Sequence, residues 1–156
     1  MEREIKEFVE AVGATEPKPS DENYLLFKSV FKRSNYFKLN RKFLIIKISR
    51  SEKPFFGVGK PYIELLNLLD NYFLVLLVNS REGWVYSKAE INANIEKAIW
   101  RLNDKDNNYK INSYTLKGEN LFTSPDEVLR RLELTPQNRI QEKSYEAEKY
   151  FKYAIF

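Results

Sequence analysis

The chain contains no cysteine and no histidine. Without cysteine, disulfides, thiol nucleophiles and thiolate metal sites are excluded together. Without histidine, no Ser-His-Asp or Cys-His arrangement can form, and zinc loses its other preferred ligand. Acid–base chemistry falls to Asp, Glu, Tyr or Lys. A carboxylate cage for a hard cation is the metal site that stays open. Long apolar runs are missing too. The longest is "YFLVLLV", Tyr72 to Val78, against the roughly 20 residues that span a bilayer. The opening "MEREIKEFVEAVG" is acidic and amphipathic, unlike the basic-then-apolar pattern of a secretory leader. These absences lead to the expectation of a cytoplasmic protein with no cofactor and no membrane contact.

What is present suits a folded domain. The chain has 156 residues, 43% of them apolar and 15% aromatic. A domain of about 150 residues buries roughly 68–70% of the surface its unfolded chain exposes, enough for a core without staples. No internal repeat or linker divides the sequence, so one domain over residues 1–156 is expected.

Ile5, Phe8, Val9 and Val12 recur at helical spacing and predict a helix over residues 2–12, closed by Gly13. "ATEPKPSDEN" reads as a loop. "YLLFKSVF", "YFKL" and "KFLIIKIS" read as strands, the last two joined by a turn at Asn40 and Arg41. "SEKPFFGVGK" breaks the pattern as a turn, and Pro61 opens a short helix. "YFLVLLVN" is apolar on both faces, as in a central strand, and "WVYS" is its partner. Ser87 and Glu90 form a capping box, with Ile91, Ile95, Ile99 and Leu102 marking a helix to about residue 102. "YKINSYTL" predicts a further strand. "SPDE" at 124–127 and "TPQN" at 135–138 predict helix starts. The order implies the α/β class, with α+β as the alternative: one mixed sheet of five or six strands with helices packed on it.

Two nucleotide or metal motifs fail on inspection. "FFGVGK" would be a phosphate loop, but Pro54 occupies the first glycine position and Pro61 the hydroxyl position. "DKDNN" at 104–108 starts like a calcium loop, but Tyr109 and Thr115 stand where Gly and Glu are needed.

"KFLIIKIS" carries a lysine, Lys47, in an otherwise apolar strand. A strand, a helix and a buried apolar strand in this order resemble the core of the restriction-endonuclease-like nucleases. In that family the active strand carries an acid, a spacer and a lysine. The resemblance implies Lys47 as the lysine, with Ile45 in the acidic place, hence a nuclease-like domain with a degenerate site. The plain structural alternative is a lysine near a sheet edge, where it discourages aggregation.

The charge is unevenly distributed. Residues 27–60 hold ten basic residues and one acidic residue, Glu52, whereas residues 1–26 hold seven acidic and three basic. The cations are Lys28, Lys32, Arg33, Lys38, Arg41, Lys42, Lys47, Arg50, Lys53 and Lys60, interleaved with Tyr36, Phe37, Phe55 and Phe56. Dense cations favour nucleic acid, because each neutralised phosphate releases condensed counterions. Exposed rings add base stacking; Phe55 and Phe56 are the better placed, beside Pro54 and Gly57. The expected reading is a non-catalytic protein that binds DNA or RNA. Lys32, Arg33, Lys38, Arg41, Lys42, Lys47, Arg50, Lys53 and Lys60 would face phosphates, and Phe55 and Phe56 would face bases.

Three other readings fit the same composition. The acids of the first helix (Glu2, Glu4, Glu7, Glu10) can neutralise part of the block. A protein partner with an acidic surface can receive it, as an inhibitor of a nucleic-acid enzyme would; Trp84 suits a contact in either case. Tyr150, Phe151 and Ile155 in "EKYFKYAIF" suit docking on the parent domain or a second copy of the chain, giving a homodimer. The empty acidic place before Lys47 yields an expected outcome: Mg²⁺ or Mn²⁺ produces no cleavage of DNA or RNA. Cleavage product that disappears in Lys47→Ala would reinstate catalysis.

Overall fold

A computed structural model describes residues 2–21, 24–30, 35–116 and 118–133. Lys32 and Arg33, the predicted helix start at 135–138 and the aromatic C-terminal segment lie outside the described residues.

Helix α1 (Arg3–Val12) forms where the apolar spacing predicts it. Ile5, Phe8, Val9 and Val12 are buried, and Gly13 ends the helix at φ 77°, its N–H donating to the carbonyls of Val9 and Glu10. Helix α2 (Tyr24–Val30) corrects the strand expected of "YLLFKSVF". Its residue types are strand formers, but β preference depends on neighbours. Here one ring decides: Phe27 is 1% exposed and stacks on Tyr36 at 4.5 Å and Phe43 at 5.2 Å.

Strands β1 (Tyr36–Leu39) and β2 (Lys42–Ile48) make the expected hairpin, with Asn40 at φ 56° in its turn. Strand β3 (Phe55–Gly59) occupies what reads as a turn. Its glycines were the misleading signal. Gly59 is extended, at φ −62° and ψ 136°. Phe56 and Val58 alternate inward and supply the burial that holds the strand. Helix α3 (Lys60–Leu66) follows with Pro61 in its first turn, then β4 (Tyr72–Leu77) and β5 (Gly83–Ser87).

Helix α4 (Lys88–Glu96) begins with the predicted box: the Glu90 N–H donates to Ser87 Oγ at 3.3 Å, and the Ser87 N–H donates to Glu90 Oε1 at 3.0 Å. It stops well before residue 102. Ala98 turns left-handed at φ 56°, and the N–H groups of Ile99 and Trp100 both donate to the Asn94 carbonyl. No glycine or proline marks that stop. The chain continues into β6 (Arg101–Asn103), β7 (Asn108–Asn112), two short 3-10 turns, β8 (Leu121–Phe122) and α5 (Pro125–Glu133). At the start of α5 the Glu127 carboxylate accepts from Thr123 Oγ1 at 2.8 Å and from the Thr123 N–H at 3.2 Å.

The architecture is mixed α/β. Among the described residues, five strands form a mixed sheet in the order β1-β2-β4-β5-β8, and three form an antiparallel sheet in the order β3-β7-β6. A mixed sheet with helices is as expected, but it holds four of the expected strands together with β8, which the sequence did not signal. A second sheet, also unexpected, takes the segments read as a turn, a helix end and a strand. In the larger sheet β2 and β4 are parallel and the other pairs antiparallel. A parallel pair needs a crossover, and β3 with α3 provides it.

The larger sheet is covered on both faces. On one side Phe37, Leu44, Ile46, Phe73, Val75 and Phe122 pack with α1 and α5. On the other side Ile45, Tyr72, Leu74, Leu76 and Tyr86 pack with Phe27, residues of α3 and α4, and Phe56, Val58 and Ile111 of the second sheet. Among the described residues, no helix is long and apolar enough to cross a membrane.

Gly83 of β5 lies against the β4 backbone at Leu76 and Leu77. A Cβ there would lie 2.0 Å from the Leu76 carbonyl oxygen, whereas one at Gly118 meets nothing within 4 Å. Gly83→Ala is expected to cost about 1–3 kcal/mol through forced displacement of the strands, and Gly118→Ala very little. Thermal unfolding followed by circular dichroism measures both; equal midpoints would contradict this register.

Candidate nucleic-acid interface

The basic block is divided by the strand that carries much of it. Arg41 and Lys42 stand at one end of β2, and Arg50 and Lys53 follow its other end. The strand is seven residues long, about 20 Å at the usual strand rise. Neighbours in the chain are therefore not neighbours on the surface.

Several of these cations are held within the protein. Arg50 is gripped by α1: its Nε donates to Glu4 Oε2 at 2.5 Å, and one terminal nitrogen reaches Glu4 Oε1 at 2.9 Å and Glu2 Oε2 at 2.5 Å. This bidentate fork, with its second carboxylate, is the strong form of the pairing. It holds the Glu4 carboxyl near 2, well below its ordinary 4.5, and raises the Arg50 guanidinium further. Lys38 donates to Asp21 Oδ1 at 2.8 Å. The Lys18 N–H, which donates to Asp21 Oδ2, and this contact together lower the Asp21 pKa. Lys42 is 2% exposed and belongs to the interior. Phe56 is 4% exposed, a core residue whose ring is out of reach of any base. Lys60 lies 3.9 Å from Glu64, and Lys28 lies over the Tyr24 ring.

Lys47 projects from an interior strand, beyond the Tyr36–Ile45 end of the β1 ladder. Its amine is 5.8 Å from the centre of the Tyr62 ring, and burial lowers its pKa below the ordinary lysine value. The neighbours on its face are Ile45 on its own strand and, by register, Leu76 and Leu74 on β4. No carboxylate stands on these positions. Among the described residues no three Asp or Glu side chains gather as metal ligands would.

Arg41, Lys53 and Phe55 reach solvent. Phe55 leads to a surface that the sequence block only touches. Residues opposite each other in an antiparallel pair share a face. Phe56 and Val58 point into the core, so Phe55, Gly57 and Gly59 point away from it, opposite Asn112, Lys110 and Asn108. Arg101 and Asn103 of β6 lie opposite Lys110 and Asn108 and complete the same face.

That face carries an exposed ring, two cations, amides and backbone, and its three strands contain no Asp or Glu. The glycines leave it low. A Cβ at position 57 would already touch the Asn108 amide at 3.4 Å. Lys110 pairs with Asp106 in the β6–β7 turn, which lowers the Asp106 pKa. Such exposed pairs contribute little to stability and are screened by salt. Arg101 Nε donates to the Ala98 carbonyl at 3.3 Å, with the guanidinium at the surface.

Arg101 and Lys110 were absent from the predicted set. The alternation of Asn108, Lys110 and Asn112 against Tyr109 and Ile111 is a readable strand signal. The pairing of Arg101 with Lys110 is not, because β6 falls inside an apolar spacing that mimics helix. Trp84 lies on β5, half-buried against the core.

No protein family matches this chain, and no curated protein and no solved structure matches it either.

The grip of α1 on Arg50 is directly measurable. Glu4 has a folded pKa depressed from 4.5 to about 2, so its contribution is complete above the unfolded value. It is lost as pH falls through the window between the two. Carboxyl NMR titration is expected to place the Glu4 midpoint near 2 and, in Arg50→Ala, to return it toward 4.5. An unmoved midpoint would show that Arg50 does not hold α1.

Proposed function

We propose that the chain is a nucleic-acid-binding accessory protein, without catalytic activity of its own, that contacts phosphates through the solvent-facing side of its three-stranded sheet. The observation that carries this reading is the composition of that face: Phe55 is 64% exposed, Lys110, opposite Gly57, and Arg101, opposite Lys110, share its side of the sheet, and no carboxylate is on its strands. Lys53 precedes the ring and Lys60 follows the strand, so two cations of the basic block border the surface.

Cations supply affinity by releasing counterions, and a low surface lets a backbone approach closely. A strip of amides and guanidinium satisfies phosphate and sugar without demanding one sequence. Three other cations of the block serve other ends in this reading: Arg50 and Lys38 clamp the first segment of the chain, and Lys42 lies inside. The absence of cysteine agrees with a cytoplasmic setting. A protein with an acidic surface is the competing occupant of the same face.

The test is binding of labelled single- and double-stranded DNA and RNA from about 50 to about 200 mM salt. Log affinity is expected to fall linearly with log salt. Arg101→Gln with Lys110→Gln should shallow that slope by roughly 1 or more and weaken binding to every sequence alike. No binding at low salt would overturn the proposal and leave the face to an acidic protein.

A further inference from the structure

At one corner of this face two large aromatic rings stand in solvent beside the same residue. Phe55 opens β3, and its register partner is Asn112 at the end of β7. Tyr114 lies two residues on and is 84% exposed. The Asn112 side chain donates from Nδ2 to the Tyr114 hydroxyl at 3.0 Å. The turn that presents Tyr114 is fastened as well, since Thr115 Oγ1 donates to the Asn112 carbonyl at 2.8 Å. A single exposed aromatic needs no explanation. Two rings flanking one amide, one of them anchored by that amide, form an organised group.

We infer that Phe55, Asn112 and Tyr114 form a subsite for unpaired nucleobases, which makes the ligand of this surface single-stranded. The inference rests on the phosphate-binding reading of the same face and adds what that reading leaves open. Every base has an apolar π-face, so ring stacking is tolerant of sequence. In a duplex those faces are buried in the base stack, and the rings have nothing to meet. Asn112 spends one N–H on Tyr114. Its carbonyl oxygen and other N–H present the acceptor–donor pattern that reads a base edge. Lys110 lies two residues back on the same side of the strand, with Arg101 beside it. A strand whose bases lie on the rings would carry its phosphates toward these cations. Lys53, exposed two residues before Phe55, adds a charge close along the chain.

The experiment compares oligo(dT) and oligo(U) with an abasic strand of equal length and with a duplex, on the full chain at fixed low salt. The abasic strand keeps every phosphate and loses every base. The base-containing strands are expected to bind about 5- to 150-fold more tightly than the abasic one per stacked base, and more tightly than the duplex. Phe55→Ala and Tyr114→Ala should each reduce that advantage and leave abasic binding and the salt slope unchanged. Both side chains are largely in solvent, so an unchanged melting curve checks that the variants fold. Oligo(dT) and oligo(U) binding alike indicates a subsite blind to both the sugar and the C5 methyl that distinguish them. Equal affinity for abasic and base-containing strands would overturn the subsite and leave phosphate binding standing. An advantage that survives in both variants would place base contact elsewhere and overturn it too. Absence of binding to any strand would overturn the subsite together with the function it refines.

Discussion

Strand β4 lies between β2 and β5, and each of its six residues is buried. With no face in water, its backbone groups must be satisfied by those two neighbours, and its side chains divide between two cores. Tyr72, Leu74 and Leu76 serve one, and Phe73, Val75 and Leu77 the other. Burial of such side chains contributes about 1.5–3 kcal/mol each, so this short segment anchors both layers. Its parallel pairing with β2 then forces a crossover between them. The crossover is where β3 and α3 form, and β3 is the strand on which the smaller sheet is built. The surface proposed to meet nucleic acid thus exists because the central pair is parallel.

The same geometry governs the charges. A strand that runs through the middle of a sheet sends the residues at its two ends to opposite edges of the molecule. The cations around β2 are separated in this way, and the acidic first helix lies against one end. Arg50 and its two glutamates hold α1 at the end of β2 while Ile5 and Phe8 bury beneath. The ion pairs orient the helix, and the apolar side supplies most of the stability, as expected where charges remain partly in solvent. The positive face that results lies elsewhere. It is made by cross-strand neighbours far apart in the chain.

Much of the architecture was legible because it followed from local chemistry. The spacing in α1 with Gly13 after it, the Ser87–Glu90 box, the Asn40 turn and the doubly apolar β4 each carry their signal within a few residues. The misreadings share a cause. "YLLFKSV" has strand-forming residues, yet a single buried ring at Phe27 decides its path. "FFGVG" has turn-like glycines, yet Phe56 and Val58 find Ile111 across the pair. Ile99 and Leu102 continue a helical spacing, yet the chain reverses at Ala98 to bring Arg101 beside Lys110. In each instance a partner distant in sequence outweighed the local preference.

For the candidate site the division is similar. The sequence by itself determined which chemistries are absent and where positive charge is dense along the chain. Only the tertiary structure decided which charges are available. It enclosed Lys42 and Phe56, committed Arg50 and Lys38 to carboxylates, and joined Phe55 to Arg101, Lys110, Asn112 and Tyr114. The physical reason is range. Composition and periodicity act between residues close along the backbone, whereas exposure and electrostatic pairing depend on which strands lie side by side.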